Sequence, residues 1–177
     1  LRLDALESAL VVFEPEKLDL PMYTSKKGPV KRQPLEALWE VKFEHTDGSV
    51  FTRQMEELLD FSTSEEEAIR NFSGTVTYSA LIEESECQDY ICLVDVNEGV
   101  SELRVNGESA GMEWYGNHMY EVGSLWKPGS NKIEIVLTTT LANYCGSLKE
   151  NQTAMAWTRT YETPVSSGLR GVEWGMP

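Results

Sequence analysis

Trp114, Tyr115, Asn117, His118 and Tyr120 gather aromatic rings, an amide and an imidazole around Gly116. That combination suits carbohydrate. A sugar ring offers an apolar C–H face that stacks on an aromatic ring, and its hydroxyls bond to amide, imidazole and carboxylate groups. These five residues are the candidate carbohydrate-binding set. A packing role competes for Trp114, which as a large side chain can close the open end of a sandwich. Residue type alone leaves both readings open. Trp39 and Trp126 lie in or beside alternating or apolar segments and are expected in the core.

Other chemistry is sparse. His45 and His118 are far apart, and there is no His-Glu-x-x-His pair, Gly-x-Ser-x-Gly elbow, phosphate loop or dinucleotide fingerprint. His45, beside Thr46-Asp47-Gly48, is expected on an exposed turn. The three cysteines are Cys87, Cys92 and Cys145, and Cys87-x4-Cys92 is not a zinc spacing. Core-packing thiols are the expectation, and a Cys–His nucleophile pair has no local support. Between Arg70 and Arg104 there is no base, while Glu83, Glu84, Glu86, Asp89, Asp95, Glu98 and Glu102 fall there. Clustered carboxylates can hold calcium, but no Asp-x-Asp-x-Asp-Gly loop is present. The run reads as a solvated acidic edge that discourages strand-to-strand association. No cofactor is expected, and a structural calcium has no motif behind it. A glycosidase needs two carboxyls about 5–10 Å apart. Acids on loops of so acidic a chain are usually solvated, and catalysis is not expected of this chain.

The 177 residues include 29 acids and 15 bases, a formal charge of −14. Nucleic acid and anionic membrane are therefore excluded as partners, since both would be repelled. A hydrophobic fraction of 41% and five tryptophans suffice for a core. No apolar run is long enough to span a bilayer, and no charged-then-apolar leader opens the chain. It reads as a soluble piece of something longer.

The periodic signals are short and have period two. Trp39, Val41 and Phe43 alternate with Glu40, Lys42 and Glu44. Thr75–Ile82 is rich in β-branched and aromatic residues, and Tyr90–Val96 is a nearly continuous apolar run suited to burial on both faces. Leu103 and Val105 precede Asn106-Gly107, the favoured two-residue hairpin turn. A short strand pair is expected over Ala110–Val122, and Pro128–Asn131 is a turn before the alternating Lys132–Leu137. Helix is scarce. Ser64–Asn71 has capping-box spacing from Ser64 to Glu67, and Arg53–Asp60 could add one turn. Ala9–Phe13 reads as a strand, and Glu14–Pro34, with four prolines and the basic cluster Lys26, Lys27, Lys31 and Arg32, as a connecting stretch. The C-terminal end reads as a returning strand or ordered tail. The fold class is all-β, an antiparallel β-sandwich with one or two short helical turns.

One stretch carries a family pattern. It runs from Phe72-Ser73-Gly74-Thr75 and Tyr78 through Leu93-Val94-Asp95-Val96 and Leu103-Arg104-Val105-Asn106-Gly107. It continues with Gly111, Trp114, Leu125–Asn131, Ile133-Glu134-Ile135 and Asn143. This resembles the galactose-binding-like jelly-roll domain attached to large glycoside hydrolases. It is similar to the C-terminal part of α-L-rhamnosidase-like enzymes and to the sugar-binding domain of β-galactosidase-like enzymes. Leu35–Phe43, Leu58–Ser62 and Ser167-Gly168-Leu169 extend the likeness, so that most of the chain is covered. The resemblance implies a leading strand and linker over residues 1–33 and the jelly roll over 34–177. It implies a non-catalytic accessory domain whose partners are carbohydrate and the catalytic barrel of the same polypeptide, where the catalytic carboxylates lie. The family's proline near Asn117 is missing, and the closing Gly-Pro-Val reads Gly171-Val172, so sugar specificity does not carry over. A periplasmic or extracellular location follows, because polysaccharide is met there. A scaffold that binds no sugar of its own is the alternative.

Overall fold

The computed structural model describes Phe13, Pro15, residues 31–84, Glu86 and residues 88–158 and 164–176. The strand expected over Ala9–Phe13 and most of the connecting stretch lie outside the described residues. Among the described residues ten strands form two antiparallel sheets. The larger sheet has the order β3-β2-β4-β9-β6-β7, from Val50–Met55, Trp39–His45, Gly74–Glu84, Gly129–Thr138, Val100–Val105 and Glu108–Glu113. The smaller has the order β1-β10-β5-β8, from Lys31–Pro34, Gly171–Met176, Tyr90–Val94 and Met119–Glu121. The protein is an all-β sandwich. Lys31 and Arg32, expected in a connecting stretch, belong to the edge strand β1, where Arg32 stands opposite Gly175.

Alternation sets the larger sheet. Trp39, Val41 and Phe43 on β2, Val76, Tyr78, Ala80 and Ile82 on β4, and Ile133, Ile135 and Leu137 on β9 turn inward. Ile91, Leu93, Tyr120 and Val172 meet them from the smaller sheet in one continuous core. Each fully buried aliphatic side chain contributes about 1.5–3 kcal/mol. The outer face of the larger sheet is solvated and carries the pairs Lys42–Glu44 (2.9 Å), Glu102–Arg104 (2.9 Å) and Lys132–Glu134 (2.8 Å). Exposed pairs of this kind are worth roughly 0–1 kcal/mol each.

Asn106 and Gly107 join β6 to β7 with φ of 55° and 86°, the double positive φ their sequence predicts. The Asn106 amide also donates to the Leu125 carbonyl and to Asn131 Oδ1, and Asn131 accepts from the Lys127 amide, so two asparagines lock the turn before β9. Gly111 is needed for its φ of 130° rather than for space: a Cβ there would lie 3.9 Å from Tyr120 Cδ1, an ordinary contact. The strand pair expected over Ala110–Val122 is not a pair. β7 closes the larger sheet and β8 closes the smaller.

The helices differ from expectation. Ser64 does not cap a helix through Glu67; its hydroxyl accepts from the Glu66 amide, and α1 is the single turn Glu67–Arg70. Arg53–Met55 belong to β3, and Phe61–Thr63 form a 3₁₀ turn capped by Asp60. Ala142–Ser147 (α2) and Gln152–Thr158 (α3) are helices that sequence reasoning did not anticipate, although Asn151 caps α3, its Oδ1 accepting from the Ala154 amide at 3.0 Å. α2 has no side-chain cap and contains Gly146, and in proteins short helices are held by tertiary contacts rather than propensity.

Candidate functional site

After β7 the chain leaves the larger sheet through residues 114–118 and enters the smaller one at β8. Trp114 is 76% exposed and Tyr115 59%, with ring centroids 6.0 Å apart and planes inclined by 43°. Asn117 is also exposed. His118 and Tyr120 are turned inward, leaving 5% and 3% of their surfaces accessible. Trp39 and Trp126 are buried as their patterns predict, Trp126 lying edge-on to Trp174 at 6.0 Å.

The inward pair meets Ser101, a fully buried residue on the core-facing side of β6. Ser101 Oγ lies 2.5 Å from His118 Nδ1 and 2.7 Å from the Tyr120 hydroxyl, which donates to the Ser101 carbonyl at 2.9 Å. One assignment satisfies every contact. A neutral imidazole donates from Nδ1 to Ser101 Oγ, Ser101 donates to the tyrosine oxygen, and Tyr120 donates to the Ser101 carbonyl. Burial pushes the imidazole pKa below its ordinary value and pushes the Tyr120 hydroxyl up to about 12. A serine beside a histidine is the contact a hydrolase would use, but no substrate carbonyl reaches a wholly buried Oγ. The trio ties the two sheets together.

Beside this loop opens a cleft of about 330 Å³. Its floor and walls come from Cys92–Val94 of β5, Asp95–Asn97 beyond it, Gly116–His118, Arg32 of β1 and Glu173 of β10. Glu173 and Met119 stand opposite Cys92 on neighbouring strands, on the face of the smaller sheet that points away from the core. Arg32, opposite the side-chain-free Gly175, donates to Cys92 Sγ at 3.6 Å and reaches Met119 Sδ at 3.7 Å. Burial, with Glu173 nearby, raises the Cys92 thiol, and Arg32 opposes that rise. The thiol is therefore protonated and poorly nucleophilic at neutral pH. Cys92 and Cys145 are not joined in a disulfide. Asp95 lies 3.5 Å from Arg170, and the Asn97 amide donates to Ser166 Oγ at 2.6 Å.

Sequence reasoning did not single out Asn97 or Glu173, met Arg32 only in a basic cluster, and met Asp95 only in an acidic run and in the family pattern, none of them as a site residue. The available signal was Asp95-Val96-Asn97 directly after a buried strand, since Asp and Asn are the non-glycine residues that most readily take left-handed backbone. Asp95 does so, with φ of 56°.

The remaining polar groups are structural. Burial acts to raise the Asp60 pKa, but hydrogen bonds from the Ser166 and Ser62 hydroxyls and from the Ser167 and Ser62 amides hold it well below the usual carboxylate range. Arg170 pairs with the same carboxylate at 3.0 Å. This hub fastens the closing segment to the 3₁₀ turn. His45 is not an exposed loop histidine. Only 9% of its side chain is accessible, and its ring packs edge-on against Tyr144 at 4.7 Å and Phe72 at 5.6 Å. Among the described residues no group of three or more His, Cys, Asp or Glu is placed to hold a metal ion.

No family model matches the chain, and no curated protein sequence matches it. Solved structures do. The chain is similar to part of the rhamnosidase from Novosphingobium sp. PP1Y, at 21% identity and a TM-score of 0.66, over 86% of this chain and 16% of that one. It is also similar to part of a GH2 β-galacturonidase from Eisenbergiella tayi, solved with glycerol and with galacturonate. There the identity is 18% and the TM-score 0.53, over 82% of this chain and 24% of that one. The likeness at this identity is one of fold, and the chain spans only a small part of each glycoside hydrolase that shares it.

Proposed function

We propose that this chain is a non-catalytic, carbohydrate-binding accessory domain of a larger glycoside hydrolase, with the galactose-binding-like jelly roll as its fold family. The observation that carries the reading is the exposed Trp114–Tyr115 pair on the loop between the sheets. A soluble domain gains nothing in stability from leaving two large rings in water, whereas a sugar's C–H face stacks on them. The fold likeness to a small part of a rhamnosidase and of a β-galacturonidase supports a domain that works beside a separate catalytic barrel. The parent reaction is hydrolysis of a glycosidic bond by carboxylates outside this chain, in a periplasmic or extracellular setting where polysaccharide is met. His118 and Tyr120 act behind the site, holding its loop to the core, rather than on the sugar.

A scaffold role has its own observation. Leu141 and Trp157, on and beside the α2–α3 pair, are 54% and 75% exposed and suit packing against a catalytic domain of the same polypeptide. Titration with mono- and oligosaccharides, with and without calcium, separates the two roles through tryptophan fluorescence. Saturable binding that Trp114→Ala abolishes supports the binding domain. No binding by the folded wild type at millimolar sugar leaves the scaffold.

A further inference from the structure

Three non-glycine residues in the described chain have clearly positive φ: Asp95, Asn106 and His118. Asn106 is accounted for by its hairpin turn. The other two line the same cleft, Asp95 from beyond β5 and His118 from the loop before β8. Left-handed backbone at a non-glycine residue is strained and concentrates where a surface is held in shape for a ligand. At about 330 Å³ the cleft is at the lower end of ligand pockets, the size for one small ring. Its polar lining is mixed: Arg32, Asn97 and Asn117 offer donors, and Asp95 and Glu173 offer only acceptors. Neighbouring hydroxyls of a sugar, each both donor and acceptor, fit such a set. A carboxylate does not. Two acids and one guanidinium, Arg32, line the cleft, with Arg170 3.5 Å from Asp95 outside the lining, in a chain of net charge −14.

We infer that this cleft seats a single neutral monosaccharide unit, with Asp95 and Glu173 accepting from its hydroxyls and Asn97 and Asn117 orienting it, and that it rejects uronic acids. The inference rests on the carbohydrate-binding reading and adds to it a unit seated beside the Trp114–Tyr115 rings, which do not themselves line the cleft, and the charge class of that unit. Arg32 completes the wall only because β1 is paired with β10, so the edge strand is part of the site.

Amide-resolved NMR titration of the whole chain with galactose, glucose and galacturonate tests it. The expected result is saturable shifts at residues 94–97 and 116–118 with the neutral sugars, and at least about tenfold weaker binding of galacturonate. Glu173→Gln and Asp95→Asn keep size and backbone preference, and each is expected to weaken neutral-sugar binding about tenfold at unchanged melting temperature. Shifts confined to Trp114 and Tyr115, or a preference for galacturonate, overturn the cleft assignment while the carbohydrate-binding reading stands. No shifts with any sugar or with a neutral oligosaccharide overturn both.

Discussion

Two halves of one short connection have opposite fates. Trp114 and Tyr115 stand in solvent, while His118 and Tyr120, a few residues on, are buried against Ser101. Their chemical types do not explain the split, since tryptophan is the more apolar and is the one outside. The backbone does. The connection crosses between sheets, turning through Gly116 at φ 94° and His118 at φ 43°, and beyond the turn the ladder between β8 and β5 holds the chain so that Tyr120 faces inward while Glu121 faces out. A loop that carries exposed rings thus has a buried anchor within the same stretch. Stability and recognition are separable by mutation.

The sharpest way to break that comparison is Tyr120→Ala. Removing a buried aromatic leaves a cavity and orphans Ser101, and a loss of about 3–5 kcal/mol is expected in denaturant titration. A loss below about 1 kcal/mol would mean the inward half is no anchor. Tyr120→Phe keeps the ring and removes only the hydroxyl, which bonds the Ser101 side chain and carbonyl; about 1–2 kcal/mol is expected, read the same way.

Acid should loosen the anchor next. The His118 pKa is lowered by burial, so below the ordinary imidazole value the unfolded chain takes up a proton that the folded chain resists. Stability contributed by the neutral ring is present above pH 6.5 and declines as pH falls below it. His118→Gln should flatten that part of the stability–pH curve. A second decline is expected below the ordinary aspartate value of 3.8, as the unfolded chain protonates Asp60 ahead of the folded one. The smallest effect on stability belongs to the outward half. Trp114→Ala should change unfolding free energy by no more than about 0.5 kcal/mol, while removing the fluorescence response to sugar. A large destabilisation would make the ring a packing element after all.

Much of this sandwich was legible in the sequence, and what was not follows a rule. Trp39-x-Val41-x-Phe43, Thr75–Ile82 and Lys132–Leu137 became β2, β4 and β9 with their apolar sides inward, because side-chain alternation in a strand is local. Asn106-Gly107 made its hairpin because positive φ is a property of those two residues. α2 was missed because it has no side-chain cap, and α3 because the Asn151 cap, whose Oδ1 accepts from the Ala154 amide, opens a helix only seven residues long. Of the candidate site, residue types pointed to the loop at 114–120 but not to which of its side chains reach solvent.

Residue order along the chain was enough for the alternating strands, the turns, the acidic surface and the absence of the short motifs of catalysis. It took the folded chain to show that β7 and β8 join different sheets, that His118 and Tyr120 face Ser101, and that Arg32, Asp95, Asn97, Asn117 and Glu173 share one cleft. The reason is physical. Which face a residue takes is written in a period of two along its own strand, whereas backbone ladders pair strands through groups every residue carries alike. Partner choice therefore depends on how the whole core closes, and sites assembled from four separate segments appear only when it has.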